Sequence, residues 1–446
     1  MTSSKIGSGI VAAAAIGVAL LVQANPCAAL ASADDVSGSG GHPRTIHVDG
    51  GDIQSALDLA APHSVVVFDR NRQVTLAVPV KVRQPLAIRG LNARLPEKLS
   101  RTPLVVIQSE GVTISDFELH GNGDTVPQEE RAPLLVLQAG SFTVERGLFT
   151  NSSKDGILID GGALAGADLT GGVVRDIVGR IIRRDLVSVG GSGSEGHRIR
   201  NILIDNVRCY NSQFRGTVEV SDGSENITVR KVYAEDCIYA IDVQDHGNPG
   251  QINRNVVIED VYARKCRHAI RTASGPLGHT NLVIRNVVAE QCIAPLEIKN
   301  IDNVTLHGVT ILDHTSPNSP VSVLNSDGLS IRDLTIKNVD SHSAALAIEN
   351  CSDVLVDNVT LRGKLNNLSA SVSYRITTDE AFSGLRITNV IAPRTDLGII
   401  VLERKGTQGT LSDYVISGNI ARVVDNLQGA RAVIVNNTAP SGNGKQ

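Results

Sequence analysis

NILIDNVRCYNS (residues 201–212), NITVRKVYAEDC (226–237), NVVIEDVYARKC (255–266) and NLVIRNVVAEQC (281–292) share one frame. Each has Asn, alternating aliphatics, a polar pair, and a second alternation. Cys closes the last three and stands near the end of the first. The frame continues without its Cys at NVTLHGVTILDH (303–314), GLSIRDLTIKNV (328–339) and DVLVDNVTLRGK (353–364). A repeat of roughly 25 residues identifies a solenoid.

Within each unit the apolar period is two. Ile227, Val229 and Val232 and their equivalents alternate with polar residues, interrupted by a pair such as Arg230-Lys231. β-branched residues dominate and helix caps are missing. A second short strand follows at GILID (from Gly156), LVSVG (Leu186), TVEVS (Thr217), AIDVQ (Ala240), AIRTA (Ala269) and PLEIK (Pro295). Two or three strands per repeat, with no helix-length segment between them, predict an all-β, single-domain right-handed parallel β-helix. The Leu/Asn consensus of leucine-rich repeats is absent, and propeller blades need about 40 residues.

The Asn that opens each unit suits a left-handed turn position. That role accounts for the sequon-like triplets at Asn226, Asn303, Asn358 and Asn367 better than glycan attachment does. Cys209, Cys237, Cys266 and Cys292 are expected in one slot on successive coils. Coils stack about 4.8 Å apart, wider than the ~3.8 Å a disulfide wants between Cβ atoms, so the spacing favours buried free thiols. Zinc is disfavoured, because no CxxC or His at ligand spacing accompanies them.

Residues 1–33 carry the marks of a secretory signal: Lys5, an apolar stretch from Ile6 to Val22, and Ala31-Ser32-Ala33 as cleavage site. They imply a secreted or periplasmic chain with no membrane span after processing. Residues 34–43 read as a Gly/Ser linker, 44–440 as the β-helix and 441–446 as a tail. DIQSALDLAAP, from Asp52, places Ile53, Ala56, Leu57 and Ala60 on one stripe behind an Asp N-cap. A short helix there would cap the first coil, which the sequence starts at VVVF from Val65, and hide its open edge. The 446 residues carry a net charge of −4, 3% aromatics and no Trp. An anionic partner therefore needs a local basic patch, and no nucleic-acid motif is present.

Most outward positions of the second strand are bland, as in Val321–Asn325 and Ala345–Glu349. Four consecutive coils differ: one outward column reads Glu219, Asp242, Arg271, Glu297, and the next Ser221, Gln244, Ala273, Lys299. Arg215, Tyr239, Asp222, Asp245, His246 and His268 lie beside them. Coil and strand spacings put acid, base and cation types in one sugar-sized patch. Gly/Pro-rich segments at 245–255 and 271–281 would wall it as loops, and 188–200 is a further long stretch without an assigned role.

With these residues the chain resembles the pectate-lyase-like superfamily of carbohydrate-active β-helices. YAIDVQDH (239–246) resembles the Tyr-x-x-Asp-Pro-His-Asp motif of mannuronan C5-epimerases at Tyr239, Asp242 and Asp245, with Val243 and Gln244 at the Pro and His positions. An Arg271 one coil after the carboxylates is similar to the alginate and chondroitin lyases. VSDG (from Val220), Ile241-Asp242, Gly278-His279 and EIK (from Glu297) resemble polygalacturonase-type hydrolases. These likenesses imply a secreted enzyme acting on a uronic-acid polysaccharide.

Removing the C5 proton of a uronate requires the neighbouring carboxylate to be neutralised and a base at C5. Arg271, with Lys299 or Arg215, is expected to bind that carboxylate. His246 or Tyr239 would serve as base and acid, oriented by Asp242 or Asp245. Glu219, Gln244 and His268 would complete the binding surface. Ca²⁺ held by Glu219, Asp242 and Asp245 is the alternative neutraliser. A glycoside hydrolase using two of those three carboxylates, a C5-epimerase and a glycan-binding envelope protein are the competing functions.

Overall fold

The computed structural model describes residues 44–439 except 51, 98–101, 124–126, 128–130, 164–166, 192–196, 213, 248–250, 274–277, 395, 404–407 and 426–431. The expected signal segment 1–33, the linker 34–43 and the tail 441–446 lie outside the described residues. So do parts of the three expected loops.

Each repeat contributes one long strand to an 18-stranded sheet and one short strand to a 14-stranded sheet. The chain forms a parallel β-solenoid of about 13 turns, 61% strand, with one α-helix. The long strands bend at the polar pair. In Glu225–Glu235 the bend falls at Lys231 (φ 54°), and Asp260 (φ 57°) and Asn286 (φ 54°) repeat it in the next two coils. The opening Asn also turns the chain: Asn201, Asn226, Asn255 and Asn281 all have φ between 55° and 61°. Their side chains link coil to coil, Asn226 Nδ2 donating to Asn201 Oδ1 (3.1 Å) and Asn281 Nδ2 to Asn255 Oδ1 (2.8 Å). The turn reading of the sequons is therefore met by a hydrogen-bonded function.

Alternation fills the interior. Ile227, Val229 and Val232 stack on Val256, Ile258 and Val261, all essentially buried. Each such side chain contributes about 1.5–3 kcal/mol through burial. The five thiols of Cys209, Cys237, Cys266, Cys292 and Cys351 are buried and free. One slot differs from expectation: Cys209 pairs with Ala234, so only Cys237, Cys266 and Cys292 share a column. Cys209 lies three positions earlier in its repeat, and that offset moves it along the coil.

At the amino end, Ile53–Leu59 forms the expected helix. Asp52 accepts the backbone N–H of Ser55 (3.3 Å), and Ile53 and Leu57 are buried in the core. The solenoid begins one strand earlier than Val65, because Thr45–Val48 pairs in parallel with Val65–Phe68. Those four residues, half of them exposed, carry too short an alternation to read from sequence. Among the described residues no helix is long and apolar enough to cross a membrane.

Candidate active site

The short strands Gly216–Ser221, Tyr239–Gln244, His268–Ala273 and Leu296–Lys299 lie side by side in register. Glu219 pairs with Asp242, Asp242 with Arg271, and Arg271 with Glu297, as the outward column requires. Before and after this quartet the same column holds Leu158, Ser188, Ser322, Ala347 and Ser373.

The column divides into a closed half and an open half. In the closed half Glu219 and Asp242 are 2% and 0% exposed. Glu219 accepts from Ser188 Oγ (2.8 Å) and Arg184 Nη2 (3.4 Å), and is also held by Arg215 and Gln244. Asp242 is clamped by Arg271, Nε to Oδ1 at 3.0 Å and Nη2 to Oδ2. Burial lifts the Asp242 carboxyl to about 6 against the pull of Arg271. Two further buried carboxylates, Asp155 and Asp185, extend this half. Arg184 approaches both, at 3.5 and 3.8 Å. Burial raises both carboxyls, Asp185 well above the ordinary range.

Tyr239 belongs to the closed half, which corrects its expected role as base or acid. Its side chain crosses Gly216 and donates to Asp185 Oδ1 (2.7 Å), and it is 1% exposed. A Cβ at Gly216 would fall 2.2 Å from Tyr239 Cδ2, so glycine there makes the crossing possible. The ring ends beneath the Arg271 guanidinium, whose Cζ is 5.2 Å from its centroid.

The open half is a cavity of about 570 Å³ lined by Asp245, His246, Arg267, His268, Arg271, Glu297 and Lys299, among others. His246 is its exposed imidazole. Nδ1 lies 2.7 Å from Asp222 Oδ1, which places the proton on Nδ1 and leaves Nε2 as the ring's acceptor nitrogen. The orienting carboxylate is thus Asp222, in place of Asp242 or Asp245. His268 donates from Nδ1 to the Ala294 carbonyl (2.8 Å), and burial holds its pKa down to about 4. Lys299 pairs with Glu297.

The segment bearing His246 is tied down from below. Gln251 Oε1 accepts the His246 backbone N–H (2.9 Å), and buried Asn253 donates from Nδ2 to the Gln244 carbonyl (2.7 Å). His279 Nδ1 accepts the Asn253 N–H (3.2 Å), so the His279 proton sits on Nε2, 3.6 Å from Asp245 Oδ2. Burial lowers the His279 pKa to about 4. Asp245 is therefore a partner of the loop scaffold.

Of the ten expected residues, Asp245, His246, His268, Arg271 and Lys299 line the cavity. Glu219, Asp242, Gln244 and Tyr239 are buried behind it, with half-buried Arg215 paired to Glu219. Glu219, Asp242 and Asp245 do not converge, each being committed to its own partners. Among the described residues no group of three His, Cys, Asp or Glu fits a metal ion, so the donor set does not match the Ca²⁺ alternative. Sequence reasoning missed Arg267, Arg184, Asp155 and Asp185. The last two were visible as Asp-Gly-Ile-Leu-Ile and Asp-Leu-Val-Ser-Val in successive coils.

No protein-family model and no curated protein matches the chain. Among solved structures, a family 28 exopolygalacturonase of Yersinia enterocolitica is similar over 75% of this chain and 77% of that one. Its identity is 12% and its TM-score 0.51. The N-terminal fragment of bacteriophage Phi29 gene product 12 aligns over 82% and 79%, at 13% identity and TM-score 0.49. The A-module of an Azotobacter vinelandii mannuronan C-5 epimerase aligns over 86% and 93%, at 13% and 0.44. The likeness to the Yersinia protein is one of fold, and the chain is a right-handed parallel β-helix.

Proposed function

We propose that this chain is a polysaccharide-active enzyme that cleaves a uronic-acid polymer by β-elimination at the cavity under His246. The observation that carries the proposal is the division of the column. The buried Glu219 and Asp242 are each paired with arginine, while the accessible wall presents an Asp-backed imidazole beside a guanidinium and an ammonium. That wall suits an anionic sugar. Arg271 and Lys299 face the substrate carboxylate and lower the cost of developing charge at C5. His246 Nε2 takes the C5 proton; the C4–O bond breaks as the C4–C5 double bond forms; the imidazolium returns the proton to the leaving oxygen. Asp242 holds Arg271 in place, and Asp222 holds His246.

The fold supports the coarser part of this reading, a polysaccharide-active enzyme, because the Yersinia protein that shares it is named an exopolygalacturonase. Hydrolysis by Glu219 and Asp242 is disfavoured, since a general acid must reach the glycosidic oxygen and both side chains are enclosed. The test is ultraviolet absorbance of the chain with alginate, pectate, glucuronan and glycosaminoglycans. Growth of an unsaturated product on one polymer is expected. New reducing ends without absorbance would replace elimination with hydrolysis, and altered C5 configuration alone would replace it with epimerisation.

A further inference from the structure

The cavity rim also carries a cation at the turn before the strand. Arg267 is exposed and lines the cavity, one residue before the strand His268–Ala273. Arg271 is paired with Asp242 and Lys299 with Glu297, so each brings its own counter-charge to the wall. Arg267 has no ion-pair partner among the described residues. Its guanidinium is therefore open to a second anionic group.

The neighbours of Arg267 give that charge a context. His268 N–H donates to the Ile238 carbonyl, and Ala294 N–H to the Arg267 carbonyl, so Ile238, Arg267 and Ile293 follow one another at the same turn of three coils. Ile238 is half-buried and Ile293 is 52% exposed. Coils rise about 4.8 Å each, so the three side chains form a short rail parallel to the solenoid axis. An isolated exposed arginine gains little from an ion pair in water. Apolar side chains on the two adjacent coils offer surface to the C–H faces of sugar rings beside that pair.

We infer that Arg267 is a second carboxylate-binding subsite, flanked by Ile238 and Ile293, and that the cleft takes at least two consecutive uronate residues across the coil that carries both Arg267 and Arg271. This rests on the proposed function, in which the cavity binds the first carboxylate at Arg271. It narrows the substrate class to polymers with contiguous uronates, over those where uronates alternate with neutral sugars.

The test is calorimetric titration of the full chain with galacturonate and mannuronate oligomers of one to four residues. The wild type is expected to bind the dimer about tenfold or more tighter than the monomer. Arg267→Gln, an exposed change that leaves the core untouched, should erase that step and leave monomer affinity unchanged. Arg271→Gln should weaken both. Dimer binding by Arg267→Gln at wild-type strength would overturn the subsite while Arg271→Gln still reports the first site. Failure of the wild type to bind any acidic oligomer would overturn the subsite together with the proposed function.

Discussion

The coils from Gly216 to Lys299 and those from Val321 to Glu349 are the same object on the inside and different objects on the outside. Ile241 and Ile270 in the first region and Val321 and Leu346 in the second are equally buried and stack in one column. The outward column reads Glu219, Asp242, Arg271 and Glu297 in the first and Ser322 and Ala347 in the second. The inward face fixes the solenoid, and the outward face is free to be edited. In the proposed function, the difference between the regions is the site, carried on an unchanged scaffold.

The largest effect should separate the regions by activity. Arg271→Ala is expected to lower kcat by about 10²–10³-fold, the scale for removing one preorganised charge from a developing anion. Ser322→Ala, five or so Å further along the same column per coil, should leave turnover unchanged. Equal losses would break the comparison. The inward positions should show no such contrast: Ile241→Ala and Ile348→Ala are each expected to destabilise by about 2–5 kcal/mol in denaturant unfolding.

His279 sharpens the account of the loop. His279→Leu removes the acceptor for the Asn253 N–H and should lower kcat about tenfold with little change in KM. His279→Asn, which restores an acceptor near the Nδ1 position, should recover most of it. Loss of stability alone, without the rescue in kcat, would assign His279 to packing.

The smallest effect is in pH. Burial holds His268 and His279 near 4, below the ordinary 6.5, so the unfolded chain binds protons that the folded chain refuses. Stability from these groups is full above 6.5 and is lost as pH falls toward 4. Asp242 works in the opposite sense, because its pKa is raised from 3.8 to about 6 and the folded chain takes its proton first. The histidine part of that pH dependence is a fall in Tm as pH drops from 6.5 to 4, set against Asp242 and the likewise raised Asp155 and Asp185. His279→Asn should flatten it, and an unchanged slope would remove His279 from the balance.

The fold was legible because period two, the polar pair and the Asn turn recur in each coil, and each maps to one backbone state. Thr45–Val48 escaped, since four residues cannot establish a period. In the site, the column Glu219–Asp242–Arg271–Glu297 was legible because strand register follows from the repeat. What each side chain faces was not. Tyr239 turns to Asp185 because Gly216, a coil away, leaves room, and Asp222 replaces Asp242 as the partner of His246 through a turn that alternation does not describe. Arg267 stands at a turn just outside the strand columns, where the period carries no weight.

The central claim is that His246, on the open half of the column, does the chemistry. The most direct measurement is formation of the ultraviolet-absorbing unsaturated product by the wild type, His246→Ala and Ser322→Ala on the acidic polymer that the panel selects. Product from the wild type and Ser322→Ala, with none above background from His246→Ala, is the predicted result. Wild-type turnover by a folded His246→Ala protein would contradict it.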